Sequence, residues 1–158
     1  MTVQLATKTL YEEDYYLWLE TTLQELQQIV EKQNIKSLPH LDWEHLIEEI
    51  EALGVEQRRK VVSYLKQLLI HLLLYQYWEA ERTYCGNGWK VEIRNFRDEL
   101  EFCLKSKTLK NYLLEEFDNV YQKARKIAID KTGLPRNTFP PQCPFTIEEV
   151  FDSDFLPE

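Results

Sequence analysis

The sequence predicts an all-α fold: a single-domain helical bundle of about five main helices around a central apolar helix, with an irregular proline-rich C-terminal strap and a short final helix. Three observations lead there. The stretch Val61 to Arg82, VVSYLKQLLIHLLLYQYWEAER, is apolar in nearly every direction around a helix, with only Ser63, Gln67 and His71 forming a thin polar stripe at four-residue spacing. The stretches on either side repeat apolar residues at intervals of three and four. No segment alternates apolar and polar residues for a useful length, and the chain has only four glycines. One domain over residues 1–158 is expected, with 1–133 as bundle core and 134–158 as the strap.

The first helix starts between Thr9 and Asp14 and runs to about Gln33, following Tyr15, Trp18, Leu19, Thr22, Leu23, Leu26, Ile29 and Val30. Thr9 with Glu12 fits a capping box, and Asp14 caps a slightly later start. Residues 34–41 read as a loop. Asp42 then serves as N-cap of a second helix, with Leu41 stapling onto Leu46, and Trp43, Leu46, Ile47, Ile50 and Leu53 as its buried face. Gly54 stands where a left-handed cap would stop that helix and turn the chain into the central one.

The central helix, about 30 Å long, should carry the core on Leu65, Leu68, Leu69, Leu72 and Leu73. Gly86 and Gly88 around Asn87 read as a break, without the Lys and Ser or Thr that a phosphate-binding loop needs. Trp89, Ile93, Phe96, Leu100, Cys103 and Leu104 form the face of a fourth helix, interrupted over 106–108. Thr108 caps a fifth, whose face runs Leu109, Tyr112, Leu113, Phe117, Val120, Tyr121, Ala124, Ile127 and Ala128 and which Gly133 and Pro135 close. Prolines at 135, 140, 141 and 144 favour an extended strap, which Phe139, Phe145, Phe151 and Phe155 should hold in order, and Thr146 with Glu149 is a capping box for the last helix.

Composition narrows the function classes. A domain of 158 residues buries roughly 70% of its unfolded surface and needs no metal or disulfide to fold. Lys and Arg number 19 against 27 Asp and Glu, and the net charge of −8 repels phosphate backbones, which disfavours nucleic acid as a partner. Cys85, Cys103 and Cys143 are odd in number and widely spaced, without a CxxC or a signal peptide, and read as reduced thiols of a cytoplasmic protein. Lys66, Gln67, His71 and Gln76 interrupt the central stretch well short of a membrane span.

Five separated motifs, YEEDYYLW (11–18), LDWEHLIEEIEALG (41–54), HLLLYQYW (71–78), WKVEIRNFRDEL (89–100) and TGLPRNTFPPQCPFTIEEVFDSDF (132–155), resemble in the same order the family of unknown function numbered twenty-nine, found mostly in cyanobacteria and other bacteria. The resemblance implies a small helical bacterial protein and carries over no reaction, substrate or cofactor. The stretch from Cys85 to Gly88 departs from the family's more basic pattern, so no anion-binding role carries over to that turn.

Two function classes remain. The first is a protein-interaction or self-associating module, expected from a large apolar inventory with no motif of catalysis and no cofactor implied; it should expose an apolar patch of more than a few hundred Å². The second is a hydrolytic enzyme, with or without metal assistance. It would use His71 and Glu48 as catalytic residues, with Asp42, His45 and Glu49 as metal ligands, because carboxylates and a histidine three or four apart share a helix face as in a helical-bundle metal site. No Glu lies three or four residues from His71, so the facing half of such a site is missing, and Asp42 as a cap with solvated Glu48, Glu49 and His45 is the plainer account. A buried His71 would need a hydroxyl, carboxylate or backbone partner. Arg94 and Arg97 beside Lys90 could hold an anion, but with Glu92, Asp98 and Glu99 among them they read as a solvated face.

Overall fold

The computed structural model describes residues 9–32 and 41–158, and among them every regular element is a helix. A short helical run over 9–13 is followed by α1 (Tyr15–Lys32), α2 (Trp43–Tyr77), α3 (Glu79–Cys103), α4 (Lys107–Glu115), α5 (Phe117–Thr132), a 3-10 turn (Arg136–Thr138) and α6 (Ile147–Phe151). Of the loop expected over 34–41 all but Leu41 lies outside the described residues, as does the end of the first helix at Gln33. No helix among those described is long and apolar enough to cross a membrane.

Local capping signals set several ends. Asp14 Oδ1 accepts the Leu17 backbone N–H at 3.0 Å and starts α1, the later of the two starts the sequence offers. Asp42 Oδ1 accepts the His45 N–H at 3.2 Å and starts α2. Gly133 takes φ 67° and its N–H closes onto the Ile129 carbonyl, ending α5 as a left-handed cap. Thr146 and Glu149 form both bonds of a capping box at α6.

Three expected boundaries are corrected. Gly54 does not stop a helix: the second and central helices are one continuous 35-residue helix, and among the described glycines only Gly133 has positive φ. Gly86 and Gly88 likewise lie within α3, which begins right after Trp78. A glycine inside a helix costs only about 1 kcal/mol against alanine, which a long packed helix readily absorbs. Gly86 has a packing reason to be small, because a Cβ there would come 3.2 Å from Arg82 Cγ and 3.8 Å from Tyr75 Cε2. The expected fifth helix is split at Glu116 into α4 and α5, and its cap is Ser106, whose Oγ accepts the Leu109 N–H at 3.1 Å, rather than Thr108.

The chain divides into two compact units. The first takes the described residues up to Lys60 together with Leu104–Tyr112; the second takes Val61–Cys103 and Leu113–Glu158. The second holds most of the buried residues: Val61, Leu65, Leu68, Leu69, Leu72 and Leu73 from α2, Trp89, Ile93 and Leu100 from α3, and Val120, Tyr121, Ala124 and Ala128 from α5. In the first, the buried residues are Tyr16, Leu19, Gly54, Ser106 and Leu109. The expected buried face of residues 43–53 is accordingly corrected. Leu46 and Leu53 are each 39% exposed, as are Ile29 and Val30 near the end of α1.

Polar side chains fasten the proline-rich strap of the second unit by its carbonyls. Tyr121 Oη donates to the Pro140 carbonyl at 2.6 Å, Gln122 Nε2 to that of Pro141 at 2.6 Å, and Arg125 Nε to that of Phe139 at 2.9 Å. Prolines remove backbone donors but leave acceptors, so donors on a neighbouring helix are the partners such a strap can use. Phe139 and Phe145 are buried, and the Phe139 ring meets Tyr77 edge-on at 5.5 Å.

Candidate functional site

At the start of α2 the structure joins two of the candidate metal ligands to each other. His45 Nδ1 donates to Asp42 Oδ2 at 2.5 Å, with His45 74% and Asp42 65% exposed. The bond to Asp42 raises the imidazole's pKa, and the same bond holds the Asp42 carboxyl below its ordinary value. Glu49 is exposed, and Glu48 is exposed at the edge of a hollow of about 380 Å³ lined also by Glu51, Ala52, Val55, Glu56 and Arg59. Among the described residues no three of His, Cys, Asp and Glu gather as a metal would require.

His71 belongs to the second unit and Glu48 to the first. The His71 Nδ1–H donates to the carbonyl of Gln67 one turn back at 2.7 Å, and its ring lies 5.6 Å from Phe96 at 45°. The bond fixes the proton on Nδ1 and leaves the Nε2 lone pair as the ring's acceptor. Burial pushes the pKa down, the Gln67 carbonyl opposes that, and the charges of Lys131 and Glu92 act more weakly, Lys131 lowering it and Glu92 raising it. His71 is therefore neutral near pH 7. Neither Cys85 nor Cys143 is an activated thiol. Burial raises Cys143 to about 11, and a bond to Glu81 is the main cause raising Cys85.

The first unit carries a cleft of about 280 Å³ between α1 and the early part of α2. Its floor is Leu19, Leu23 and Ile50; Glu20, Gln24, Gln27 and Glu51 stand at its edges, and Gly54 opens it, since nothing lies within 4 Å of where a Cβ would be. One end is closed by a polar relay in which Arg58 Nη1 donates to Tyr16 Oη at 2.8 Å and Tyr16 Oη donates to Glu20 Oε1 at 2.6 Å. Early α1 thus meets residue 58, which sets α1 and the 43–60 stretch antiparallel. Trp43 and Ile47 share a helix face with Ile50 and Gly54 at spacings of four, three and four. The Trp43 Nε1 is buried without a hydrogen-bond partner.

Charge is concentrated on the same two helical stretches. Residues 1–60 carry twelve Asp and Glu against six Lys and Arg, an excess of six negative charges out of the chain's net eight. An acidic surface with a cleft that has an apolar floor under a polar rim can bind a cationic amphipathic segment. It repels phosphate and anionic headgroups.

Two residues escaped the sequence reading. Tyr16 is 3% exposed although the expected face ran through Tyr15, Trp18 and Leu19. Arg97 is 6% exposed and not on a solvated face, and its guanidinium donates to three carbonyls: Val150 at 2.8 Å, Phe155 at 2.8 Å and Glu149 at 3.1 Å. A signal for Arg97 was present. It lies four residues after Ile93 and three before Leu100, on the apolar face itself.

A family model described as Domain of unknown function DUF29 matches residues 10–156. Among solved structures the chain is similar to a crystal structure of an alpha-helical protein of unknown function from Rhodospirillum rubrum ATCC 11170, at 21% identity and a TM-score of 0.75 over 92% of this chain and 90% of that one. At that identity the likeness concerns the fold. No curated protein matches the chain.

Proposed function

The chain belongs to the family described as Domain of unknown function DUF29, and from its own surface we propose that it is a cytoplasmic bacterial interaction module that engages a protein through its first unit. The observation carrying this reading is the exposure of large apolar side chains on that unit. Leu41 and Tyr11 are 50% and 52% exposed, and Leu46, Leu53, Ile29 and Val30 are each 39% exposed. Leu46 and Leu53 are seven residues apart and so share a face of α2. Single exposed leucines are ordinary, but several on neighbouring helices mark surfaces that another molecule covers.

The test is the native mass of the full chain in its host. We expect a complex heavier than one chain that Leu46→Glu with Leu53→Glu reduces to the single-chain mass, with helicity by circular dichroism unchanged. A wild-type chain that runs alone at its cellular concentration overturns the reading, as does a complex indifferent to both substitutions.

A further inference from the structure

The cleft above Gly54 narrows the kind of partner. Small-molecule sites occupy roughly 300 to 1,000 Å³ and enclose most of their ligand. At about 280 Å³ with Gln24, Gln27 and Glu51 at its rim, this cleft is sized for one or two side chains projecting from a larger body. Its floor of Leu19, Leu23 and Ile50 calls for those side chains to be apolar. The groove between two antiparallel helices takes a third helix readily, with anchors at every third or fourth position of the incoming one.

Glycine at position 54 is otherwise costly. It lies in the interior of a 35-residue helix, needs no positive φ, and faces no neighbour that a methyl group would strike. Alanine would favour the helix more than glycine does. What the missing side chain leaves is depth in the cleft.

We infer that this cleft receives an apolar anchor from a basic amphipathic helix of a protein partner, seated over Gly54 with its cationic residues against the carboxylates of α1 and early α2. The inference rests on the interaction-module reading and specifies its partner's chemistry. Charge complementarity selects the occupant. Glu51 borders both this cleft and the hollow lined by Glu48, Glu56 and Arg59, so carboxylates outnumber cations on the α2 side, whereas Glu20 on the α1 side is already engaged by Tyr16 and Arg58. Arg58 is committed to Tyr16 and lies 3.7 Å from Glu20, so its charge belongs to the closed end. A second copy of this chain carries the same net charge of −8 and is disfavoured by like-charge repulsion.

The probe is an 18-residue helical peptide of leucine and lysine with one apolar face, compared with a scrambled peptide of the same composition that has none. Titrated into the full chain, the amphipathic peptide is expected to bind one to one and to shift the backbone resonances of residues 19–27 and 50–58. Gly54→Leu, which fills the open space, should weaken it at least tenfold, and Gly54→Ala by less. The resonance map reads the site independently if the leucine variant folds poorly. Absence of binding, equal binding of the scrambled peptide, shifts confined to other residues, or undiminished affinity in a folded Gly54→Leu variant each overturns the inference. If the native complex sensitive to Leu46 and Leu53 persists alongside such a result, the module reading stands and only its assigned partner falls.

Discussion

Ser106 Oγ donates to Asp14 Oδ1 at 2.5 Å, a bond across ninety-two residues that makes one carboxylate serve two helix starts. Asp14 caps α1 through the Leu17 N–H, while the Ser106 oxygen caps α4 through the Leu109 N–H, and Thr108 Oγ1 adds a longer bond to Asp14 Oδ2 at 3.3 Å. Ser106 is 8% exposed, so its hydroxyl has little water to fall back on.

Removing Asp14 should therefore cost more than an ordinary cap. Asp14→Ala is expected to destabilise by about 2 to 3 kcal/mol, against about 1 to 2 for Ser106→Ala, since the former orphans both the Leu17 N–H and a buried hydroxyl. Urea unfolding of the two single variants and the double variant measures their coupling. An additive cycle would show that the two caps act separately, contrary to this expectation.

Arg97 should hold the end of the strap. Its three carbonyl partners include Glu149 and Val150 in the last turn of α6, where helical carbonyls lack partners along their own helix. Arg97→Met keeps much of the stem but removes every donor, and a loss of about 2 to 4 kcal/mol is expected, with protease cleavage beginning beyond residue 146. Arg97→Lys should rescue little, because a point ammonium cannot reach three carbonyls as a planar fork does. A strap as resistant as wild type in both variants would remove Arg97 from this role.

These features differ in how far they could be read from the sequence. Gly133 and Thr146 were legible because their signals are local: a left-handed residue after a periodic run, and a hydroxyl three positions before a glutamate. Gly54 and Gly86 carry the same letter as Gly133 but sit inside helices, and only their neighbours distinguish a stop from a spacer. The apolar periodicity of the fourth helix located Trp89, Ile93 and Leu100 correctly but treated Arg97 as solvated, since a buried cation becomes intelligible only once the strap supplies carbonyls. Periodicity also named Leu46 and Leu53 as facing inward. It reports which face is apolar, not whether anything lies on it.

The glycines offer a graded test of that distinction. Gly54→Ala and Gly88→Ala, with nothing within 4 Å of the added methyl, should each stabilise by roughly 0.5 to 1 kcal/mol. Gly86→Ala must displace Arg82, whose Nη1 donates to the Tyr75 carbonyl at 3.0 Å, and should give no gain. Gly133→Ala forces a side chain into φ 67° and should cost about 1 kcal/mol or more. Thermal midpoints ordered otherwise, above all a destabilising Gly54→Ala, would contradict the open space seen there.

The pH dependence of stability should carry the signature of His71. Its folded pKa is depressed, chiefly by burial, so below the ordinary imidazole value near 6.5 the unfolded chain binds a proton that the folded chain resists. The stability due to its neutral form is complete above about pH 6.5 and falls as the pH drops from there toward the folded value. His45 has the opposite sign: its pKa is raised, so its contribution is present below about pH 6.5 and is lost as the pH rises through the folded value. The two can be separated by substitution. His71→Leu should flatten the acid-side fall, and it should cost little at neutral pH, because the Gln67 carbonyl that loses the imidazole still accepts the helical N–H of residue 71. His71→Gln should flatten the same limb, since an amide does not titrate. His45→Gln should leave that fall in place and remove only the gain on acidification. Denaturant midpoints measured from pH 5 to 8 distinguish these cases, and an acid-side fall that survives unchanged in both His71 variants would place its origin elsewhere.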